Sequence, residues 1–163
     1  MDAFRFQDAA GAADGVTHFI TLCTIDALTE RSSASDEVLN QGGGECELQW
    51  QDLREIVADV LLAQDGEEYR IGDFVVMPNH LHVLVGLYPG RSVAEQAQAW
   101  MKRSTELIND FRRRTGNFWH DLVISSPVAD WDDFDECRKR IRRDPKSAGL
   151  RVGEYYLHIA EVD

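Results

Sequence analysis

The pattern of apolar and polar positions in the first half of the chain predicts two kinds of element. Residues 16–25 alternate and are rich in β-branched and aromatic side chains, which predicts a strand. Between residues 48 and 63 the apolar positions recur every three or four residues, as on the buried face of an amphipathic helix. Residues 69–77 and 81–88 are two more strand-like runs, and Pro78-Asn79 between them predicts a turn. The first half therefore predicts the order strand, helix, strand, strand.

A second long helix is predicted from residue 92 to about residue 114. Ser92 can cap its first turn, and Glu95 three residues later completes a capping box. Residues 118–128 follow as a strand-like segment.

The last part of the chain predicts one more helix and a short strand. Residues 131–145 are acidic in the first turns and basic in the last, which complements the helix dipole, and Pro145 is expected to end the helix. Residues 155–160 have the composition of a strand. This order of elements predicts an α+β fold in which helices pack on one face of an antiparallel sheet.

Two segments lack any periodicity. Residues 1–15 are small and acidic, and we expect them to be frayed. Residues 29–47 are polar and rich in Ser and Gly, which predicts an exposed, mobile loop. The whole chain, residues 1–163, is expected to form one domain.

Composition narrows the class of protein. The chain has 163 residues, of which 44% are hydrophobic, but it contains no apolar run of membrane-spanning length and no signal peptide. We therefore expect a cytoplasmic protein without a membrane partner. The three cysteines are scattered without the spacing of a disulfide framework or a thiolate metal site.

The charge distribution is uneven. The net charge of −12 argues by itself against a nucleic-acid partner, because phosphate binding depends on Lys and Arg. However, residues 102–151 hold 12 of the 17 Lys and Arg side chains. A local basic surface on an acidic protein is one interpretation, and a solvated surface without a partner is the other.

Two histidines interrupt the apolar run of the predicted hairpin. His80 and His82 are two residues apart, so on a strand both imidazoles project to the same face. Neutral imidazole is a common ligand of divalent metals, and a strand would hold two such nitrogens close together. The spacing suits a metal site, although two hydrogen-bonded, half-buried histidines would give the same pattern.

The surrounding sequence resembles a known family. Residues 75–85, VVMPNHLHVLV, resemble the His-hydrophobe-His signature of the single-tyrosine HUH transposases, which include REP-associated tyrosine transposases. Residues 17–24 resemble the first strand of that family, residues 100–119 its long helix and the turn after it, and residues 144–150 its Asn-Pro-Val-Lys/Arg-Ala-Gly-Leu signature. The resemblance extends over residues 17–151 and implies a ferredoxin-like sheet.

The resemblance also implies a chemistry. Enzymes of this family bind Mg²⁺ or Mn²⁺ at the histidine pair and cut single-stranded DNA through a covalent phosphotyrosine. Their tyrosine lies four residues before the Asn or Gln that completes the metal site; anchored on Pro145, those positions hold Arg140 and Asp144. Arginine forms no stable phosphoester, so we expect the covalent step to be lost. Asp144 is either a third ligand, with His80 and His82, or a surface residue at a helix end.

Other residues could contribute. Tyr155 and Tyr156 are the remaining candidates for a nucleophile, although packing in a final strand is the simpler role for both. Basic residues in and before the last predicted helix could grip DNA phosphates, or could form a solvated helix end. These residues are Arg138, Lys139, Arg140, Arg142, Arg143 and Lys146, with Arg112, Arg113 and Arg114 before them.

Three functional hypotheses follow from the sequence. The first is a transposase-like protein that binds single-stranded or hairpin DNA with Mg²⁺ or Mn²⁺, with strand cleavage in doubt because of Arg140. The second is a non-catalytic, nucleic-acid-binding regulator derived from a transposase. The third is a metal-dependent phosphoesterase that uses water. A homodimer is compatible with each of them.

Overall fold

The structure is a computed structural model that describes residues 4–6, 15–28 and 34–162. The strands are β1 (Val16–Thr24), β2 (Tyr69–Val76), β3 (His80–Leu87), β4 (Trp119–Pro127) and β5 (Tyr156–His158). The helices are α1 (Asp36–Leu39), α2 (Gln51–Ala63), α3 (Val93–Arg112) and α4 (Trp131–Ser147), with a 3₁₀ turn at Glu47–Gln49. None of the helices in these ranges is both long and apolar enough to cross a bilayer.

The strands form one antiparallel sheet in the order β4-β1-β3-β2-β5. The histidine-bearing strand β3 is therefore central, with β1 on one side and β2 on the other. The α+β class and the antiparallel sheet expected from the sequence are confirmed. Each strand expected from the sequence is present, with ends that differ by at most two residues from the expected ones.

Helices α2 and α3 cover one face of the sheet. Alternate side chains of the central strands pack beneath them and are almost completely buried, as strict alternation along a strand requires. The sheet contributes Ile20, Leu22, Tyr69, Ile71, Phe74, Val76, Leu81, Val83, Val85 and Leu87 to this core. We call this side the helix-pair face.

Helix α4 covers the opposite face, which corrects the expectation that the helices share one face. Phe134 and Ile141 of α4 pack with Phe19, Val75 and Leu84 in a separate, smaller core. Arg138 anchors the helix further, because its guanidinium donates to Asp73, a carboxylate with only 1% of its surface exposed. We call this side the polar face, since His80 and His82 also point to it.

Pro145 does not end α4, contrary to the prediction. The helix continues to Ser147, and the amide of Ala148 donates to the carbonyl of Asp144. Proline removes only one backbone donor, and here it lies within the last turn, where few hydrogen bonds remain to be lost. Asp144 therefore stays in helical geometry, one turn after Arg140.

The segment expected to be a mobile loop contains a short ordered helix. Residues 29–33 lie outside the described residues, but Ser35 caps α1 by accepting a hydrogen bond from the amide of Val38. Leu39 is buried against Cys23 and Ala27, which docks α1 at the end of β1. Of the start expected to be frayed, residues 4–6 are described, and Phe4 is buried in the small core beneath α4.

Candidate metal centre

The structure brings three of the predicted site residues together on the polar face. His80 and His82 lie side by side on β3 with no exposed surface, and Asp144 reaches them from α4. Its Oδ2 lies 2.8 Å from Nε2 of His80 and 3.2 Å from Nε2 of His82. Asp144 is 2% exposed, so it is a buried residue facing the histidines and not a surface residue at the helix end.

Asn79 sets the orientation of the His80 ring. The side-chain amide of Asn79 donates to the carbonyls of Leu39 and Gly43, at 3.0 and 3.3 Å. Its Oδ1 must therefore face Nδ1 of His80, at 2.8 Å, and accept a hydrogen bond from Nδ1–H. A neutral His80 then presents the lone pair of Nε2 to Asp144.

His82 is held by a hydroxyl on one side and faces two carboxylates on the other. Its Nδ1 lies 2.7 Å from Oγ1 of Thr21 on the neighbouring strand. Its Nε2 lies 3.0 Å from Oδ1 of Asp36, in addition to Asp144. Neither oxygen is aligned for a hydrogen bond, so this buried nitrogen has no hydrogen-bond partner. Asp36 and Asp144 therefore act on His82 through their charge and not through a hydrogen bond.

The two imidazoles differ in basicity. At His80 burial dominates and lowers the pKa below its usual 6.5, although Asp144 opposes this. At His82 burial has the same sense, but attraction to Asp144 and Asp36 outweighs it and raises the pKa. Because the contacts are misaligned, we attribute this rise to the carboxylate charges and not to formed hydrogen bonds.

Both carboxylates are ionised at neutral pH. Burial acts to raise the pKa of Asp144, but hydrogen bonding and charge attraction from His80 and His82 in their protonated forms hold the pKa well below its usual range. Burial likewise opposes ionisation of Asp36, and Arg140 and His82 overcome it, so that the pKa of this carboxyl is also strongly lowered. Two anions thus face two imidazoles in a buried space.

These residues fit a divalent cation. Donors that each lie about 2.1 Å from one ion, in adjacent positions, are about 3 Å apart. The separations of 2.8 and 3.2 Å match this value, and the ligand atoms of His80, His82 and Asp144 all lie within 4.8 Å of one another. The lone pair of His80 facing a carboxylate and the unpartnered nitrogen of His82 would both be satisfied by a shared cation.

Each of the three residues is also oriented by a polar neighbour, as is usual for metal ligands. Asn79 holds His80 and Thr21 holds His82. Asn40, which follows α1, donates from its amide to Oδ1 of Asp144 at 2.6 Å. The ligand geometry is therefore fixed by the fold before any ion is bound.

Arg140, at the expected nucleophile position, is engaged within the protein. Its guanidinium donates twice to Asp36, at 2.6 and 2.8 Å, and lies over the ring of Phe19 at 4.8 Å from the centroid. The side chain is about one-third exposed. Two of its donors are therefore used by Asp36 and are not directed at solvent.

The four tyrosines of the chain all lie in described segments, and none has a recorded contact with the histidines. Tyr69 donates to the carbonyl of Leu61 beneath α2, and Tyr88 donates to Gly66. Tyr156 stacks on Phe74 on the helix-pair face. Tyr155 packs against the small core beneath α4. The two weak candidates for a nucleophile, Tyr155 and Tyr156, thus have packing contacts, as the simpler interpretation predicted.

The predicted basic residues do not form one uniform surface. Arg138 and Arg140 pair with Asp73 and Asp36, Arg142 lies 3.9 Å from Asp73, and Lys139 approaches Glu136. Arg112, Arg113 and Arg114 end α3 on the opposite side of the sheet, and Arg114 pairs with Glu47. Within the described part of the chain, Arg143 and Lys146 are exposed and lack an ionic partner.

A cavity of about 410 Å³ opens beside the histidine pair. Asp144 and Arg140 lie at its inner side, and Arg143 lies one turn from Arg140 along α4. Residues from α1 close the other wall, namely Asp36, Glu37, Asn40 and Gln41. The cavity is large enough for a phosphate group and has both acidic and basic walls.

Asp36, Asn40, Asn79 and Thr21 were missed by the sequence analysis. Asp36 and Asn40 are four residues apart, the spacing of one helix face, but a single helical turn in a Ser- and Gly-rich segment leaves no periodicity to detect. Asn79 was assigned only to a turn, although it directly precedes His80. Thr21 could have been found from strand alternation, since it pairs across from His82.

Comparison with known proteins supports the fold. No protein-family profile and no curated protein matches the sequence. The structure is similar to a solved REP-associated tyrosine transposase bound to a REP hairpin, with a TM-score of 0.56 and 19% sequence identity; the match covers 93% of this chain and 76% of the other. A candidate transposase from Deinococcus radiodurans R1 matches with a TM-score of 0.47 and 14% identity, over 85% of this chain and 98% of the other. That second likeness is too weak to support a conclusion.

The chain therefore shares its fold with a solved REP-associated tyrosine transposase, a member of the family that its sequence resembles. In this fold a buried group of His80, His82 and Asp144 could hold a metal ion. At such low identity the likeness establishes the fold alone, and the activity has to be argued from the site.

Proposed function

We propose that this protein binds hairpin or single-stranded DNA, with a divalent cation held by His80, His82 and Asp144, and without forming a covalent link to the DNA. The observation that carries the proposal is Arg140, which lies one helical turn before Asp144 and is paired with Asp36. We call the group of His80, His82 and Asp144 the cage. A cage of three converging donors with no phenol nearby fits binding better than tyrosine-dependent cleavage.

Support for DNA as the partner comes from the solved neighbour, whose structure contains a REP hairpin. It also comes from the cavity beside the cage, where Arg143 is free to contact a phosphate. Lys146 lies one turn beyond Arg143 and extends the same edge of α4. The acidic remainder of the chain would then limit binding to this edge.

A bound cation would supply Lewis acidity, polarising a phosphate oxygen placed in the cavity. The chain's own residues do the remaining work. Asn79, Thr21 and Asn40 hold the cage in position, and the exposed arginine of α4 orients the phosphate. Arg140 neutralises Asp36 and cannot attack phosphorus, because a guanidinium offers no nucleophilic oxygen and stays protonated.

The test uses the full chain and a labelled DNA hairpin, with an unpaired strand and a blunt duplex of the same composition for comparison. Native gels with Mn²⁺ or with EDTA measure binding, and denaturing gels of the same samples measure covalent adducts and cleaved DNA. We expect a retarded complex with the hairpin or single strand, weaker binding to duplex, and neither adduct nor cleavage.

Each other result has a definite meaning. A covalent adduct would contradict the proposal and would identify a tyrosine that attacks despite its packing contacts. Metal-dependent cleavage without an adduct would instead favour a phosphoesterase that uses water. Equal, weak binding to all three DNAs would remove DNA as the specific partner.

A further inference from the structure

We infer that Asp36 is a fourth protein ligand of the cation, so that the bound ion links α1 to β3 and α4. This inference rests on the cation site of the proposed function and adds a residue from a segment that lies outside the sequence signatures. It also narrows the expected ion from any divalent cation to a first-row transition-metal dication such as Mn²⁺, Co²⁺ or Zn²⁺.

The first observation is the distance from Asp36 to His82. Oδ1 of Asp36 lies 3.0 Å from Nε2 of His82, which is closer than the 3.2 Å of Asp144. That nitrogen is fully buried and has no hydrogen-bond partner. A carboxylate and a lone pair at this separation repel each other unless a proton or a cation lies with them, and both oxygens can accept more than one contact.

The second observation is a second unpartnered atom in the same place. Asn40 lies four residues after Asp36, and its amide nitrogen is bound to Asp144. Its Oδ1 is buried without a hydrogen-bond partner. Apart from Nε2 of His82, no other buried side-chain nitrogen or oxygen is recorded as unsatisfied in the described ranges. Buried polar atoms usually have partners, so both atoms are available to a ligand bound at this site.

The third observation concerns how α1 is held. Leu39 and the contacts of Asn79 with the carbonyls of Leu39 and Gly43 dock the helix beside β1 and β3. This docking places Asp36 beside His82 and Asn40 beside Asp144. Asp36 lies outside the group of His80, His82 and Asp144, whose ligand atoms are all within 4.8 Å of one another, so its carboxylate has to turn toward the ion to join them. The charge of the ion would then stabilise the docking of α1, a single helical turn that otherwise has one buried apolar side chain.

The donor set determines the class of ion. Two imidazole nitrogens with two carboxylates suit first-row transition dications, whereas Mg²⁺ favours oxygen donors and keeps most of its water. Four protein donors also leave fewer coordination positions for phosphate and water than three would. In this arrangement the ion stabilises the docking of α1 as well as any contact with DNA.

The competing explanation is that Asp36 serves only to neutralise Arg140. Both explanations predict weaker binding in Asp36→Ala, because this variant also leaves Arg140 unpaired beside the ion. The decisive comparison therefore adds Asp36→Ala to Arg140→Met, where a further loss of affinity is expected only if Asp36 is a ligand. Asp36→Ala removes a ligand, so we expect the affinity for Mn²⁺ or Co²⁺ to fall about tenfold or more. Arg140→Met removes a competing cation and leaves the carboxylate, so the affinity should stay the same or rise.

The experiment measures Co²⁺ and Mn²⁺ affinity of the full chain by competition with a fluorescent chelator, with circular dichroism as a check of folding. Glu37→Gln is the matched control, since it removes one carboxylate from the same helix at an exposed position. Asp36→Asn keeps the shape of the side chain and covers the case in which Asp36→Ala fails to fold. The visible spectrum of bound Co²⁺ reports directly on the ligand set, and it should change in Asp36→Asn and stay unchanged in Glu37→Gln.

The outcomes separate this inference from the proposed function. A loss of affinity when Asp36→Ala is added to Arg140→Met, together with a changed Co²⁺ spectrum in Asp36→Asn, supports Asp36 as a ligand. Unchanged affinity and an unchanged Co²⁺ spectrum in Asp36→Asn would overturn it, as would an equal loss in Arg140→Met, and the DNA-binding proposal would survive either result. Absence of any transition-metal binding in the unmodified protein would overturn the cation site itself.

Discussion

The helix-pair face and the polar face of the same sheet bury very different side chains. Beneath α2 and α3 the sheet contributes mainly apolar residues, together with the hydroxyl of Tyr69 and the indole N–H of Trp119. Beneath α4 it buries Thr21, Asp73, His80 and His82 beside a smaller apolar core. Burying such groups costs free energy unless they are paired, so the buried polar residues of this face are expected to add little to the stability of the fold. The difference fits the proposed function, in which the helix-pair face maintains the fold and the polar face binds a cation and DNA.

The largest expected effect comes from the helix-pair face. Phe74 is fully buried there and stacks with Tyr156. Replacing Phe74 by Ala should lower the free energy of unfolding by about 3–5 kcal/mol, because it leaves a cavity in a closed core. Urea unfolding should give the same loss with Mn²⁺ and with EDTA. A loss of unfolding free energy that depended strongly on Mn²⁺ would contradict the proposal that the two faces have separate roles.

The polar face should respond to metal instead. At a free Mn²⁺ concentration 100 times the dissociation constant, binding to the folded state should add about 2.7 kcal/mol to the free energy of unfolding. His82→Ala should abolish this increment, because it removes a ligand. His120, which lies on edge strand β4 and outside the cage, provides the control: His120→Ala should keep the full increment. An increment that persisted in His82→Ala would show that Mn²⁺ binds elsewhere.

Tyr69 provides a test of a polar group of the sheet that is buried on the helix-pair face. Its hydroxyl donates to the carbonyl of Leu61 and accepts from the indole of Trp100, so Tyr69→Phe should cost about 2 kcal/mol by leaving both without partners. Burial raises the pKa of Tyr69 from 10.0 to about 12. Its contribution is therefore present below pH 10 and is lost as the pH rises to 12.

The pH dependence is measured by urea unfolding between pH 9 and 12, as far as the protein remains reversible. The unmodified chain should lose stability more steeply than Tyr69→Phe over this range. Tyr88→Phe is the control for loss of a partly exposed hydroxyl and should cost less. Parallel curves for Tyr69→Phe and the unmodified chain would contradict this account of the buried hydroxyl.

The smallest expected effect tests which surface binds DNA, the cavity beside the cage or the end of α3. Arg143→Glu, at the cavity beside the cage, should weaken hairpin binding about tenfold, or about 1.4 kcal/mol, and reduce its salt dependence. Arg112→Glu makes the same charge change at the end of α3, on the other side of the sheet, and should have a smaller effect. Equal losses would mean that DNA senses only the net charge of the protein.

Much of the fold could be predicted because its signals are local. Alternation identified β1, two strand-like runs on either side of the Pro78-Asn79 turn identified β2 and β3, and the Ser92 cap placed the start of α3. The face on which α4 packs could not be predicted, since it depends on Phe134 and Ile141 meeting Phe19 and other residues far along the chain. Pro145 was given too much weight, because a proline in the last turn costs one hydrogen bond and need not end a helix.

The candidate site could be predicted only in part. The grouping of His80, His82 and Asp144 was expected from the resemblance, and the structure places them together. Asp36 was not foreseen, because nothing in the sequence relates it to Arg140, 104 residues away. That pairing is a property of the folded chain, and it changes the expected role of Arg140 from a phosphate contact to a partner of Asp36.

The most direct test of the central claim is the anomalous scattering of a crystal grown with Mn²⁺. The account predicts one strong peak on the polar face, within bonding distance of Nε2 of His80, Nε2 of His82 and a carboxylate oxygen of Asp144. A well-ordered site without such a peak at saturating Mn²⁺, or a peak bound only by exposed acidic residues, would contradict it.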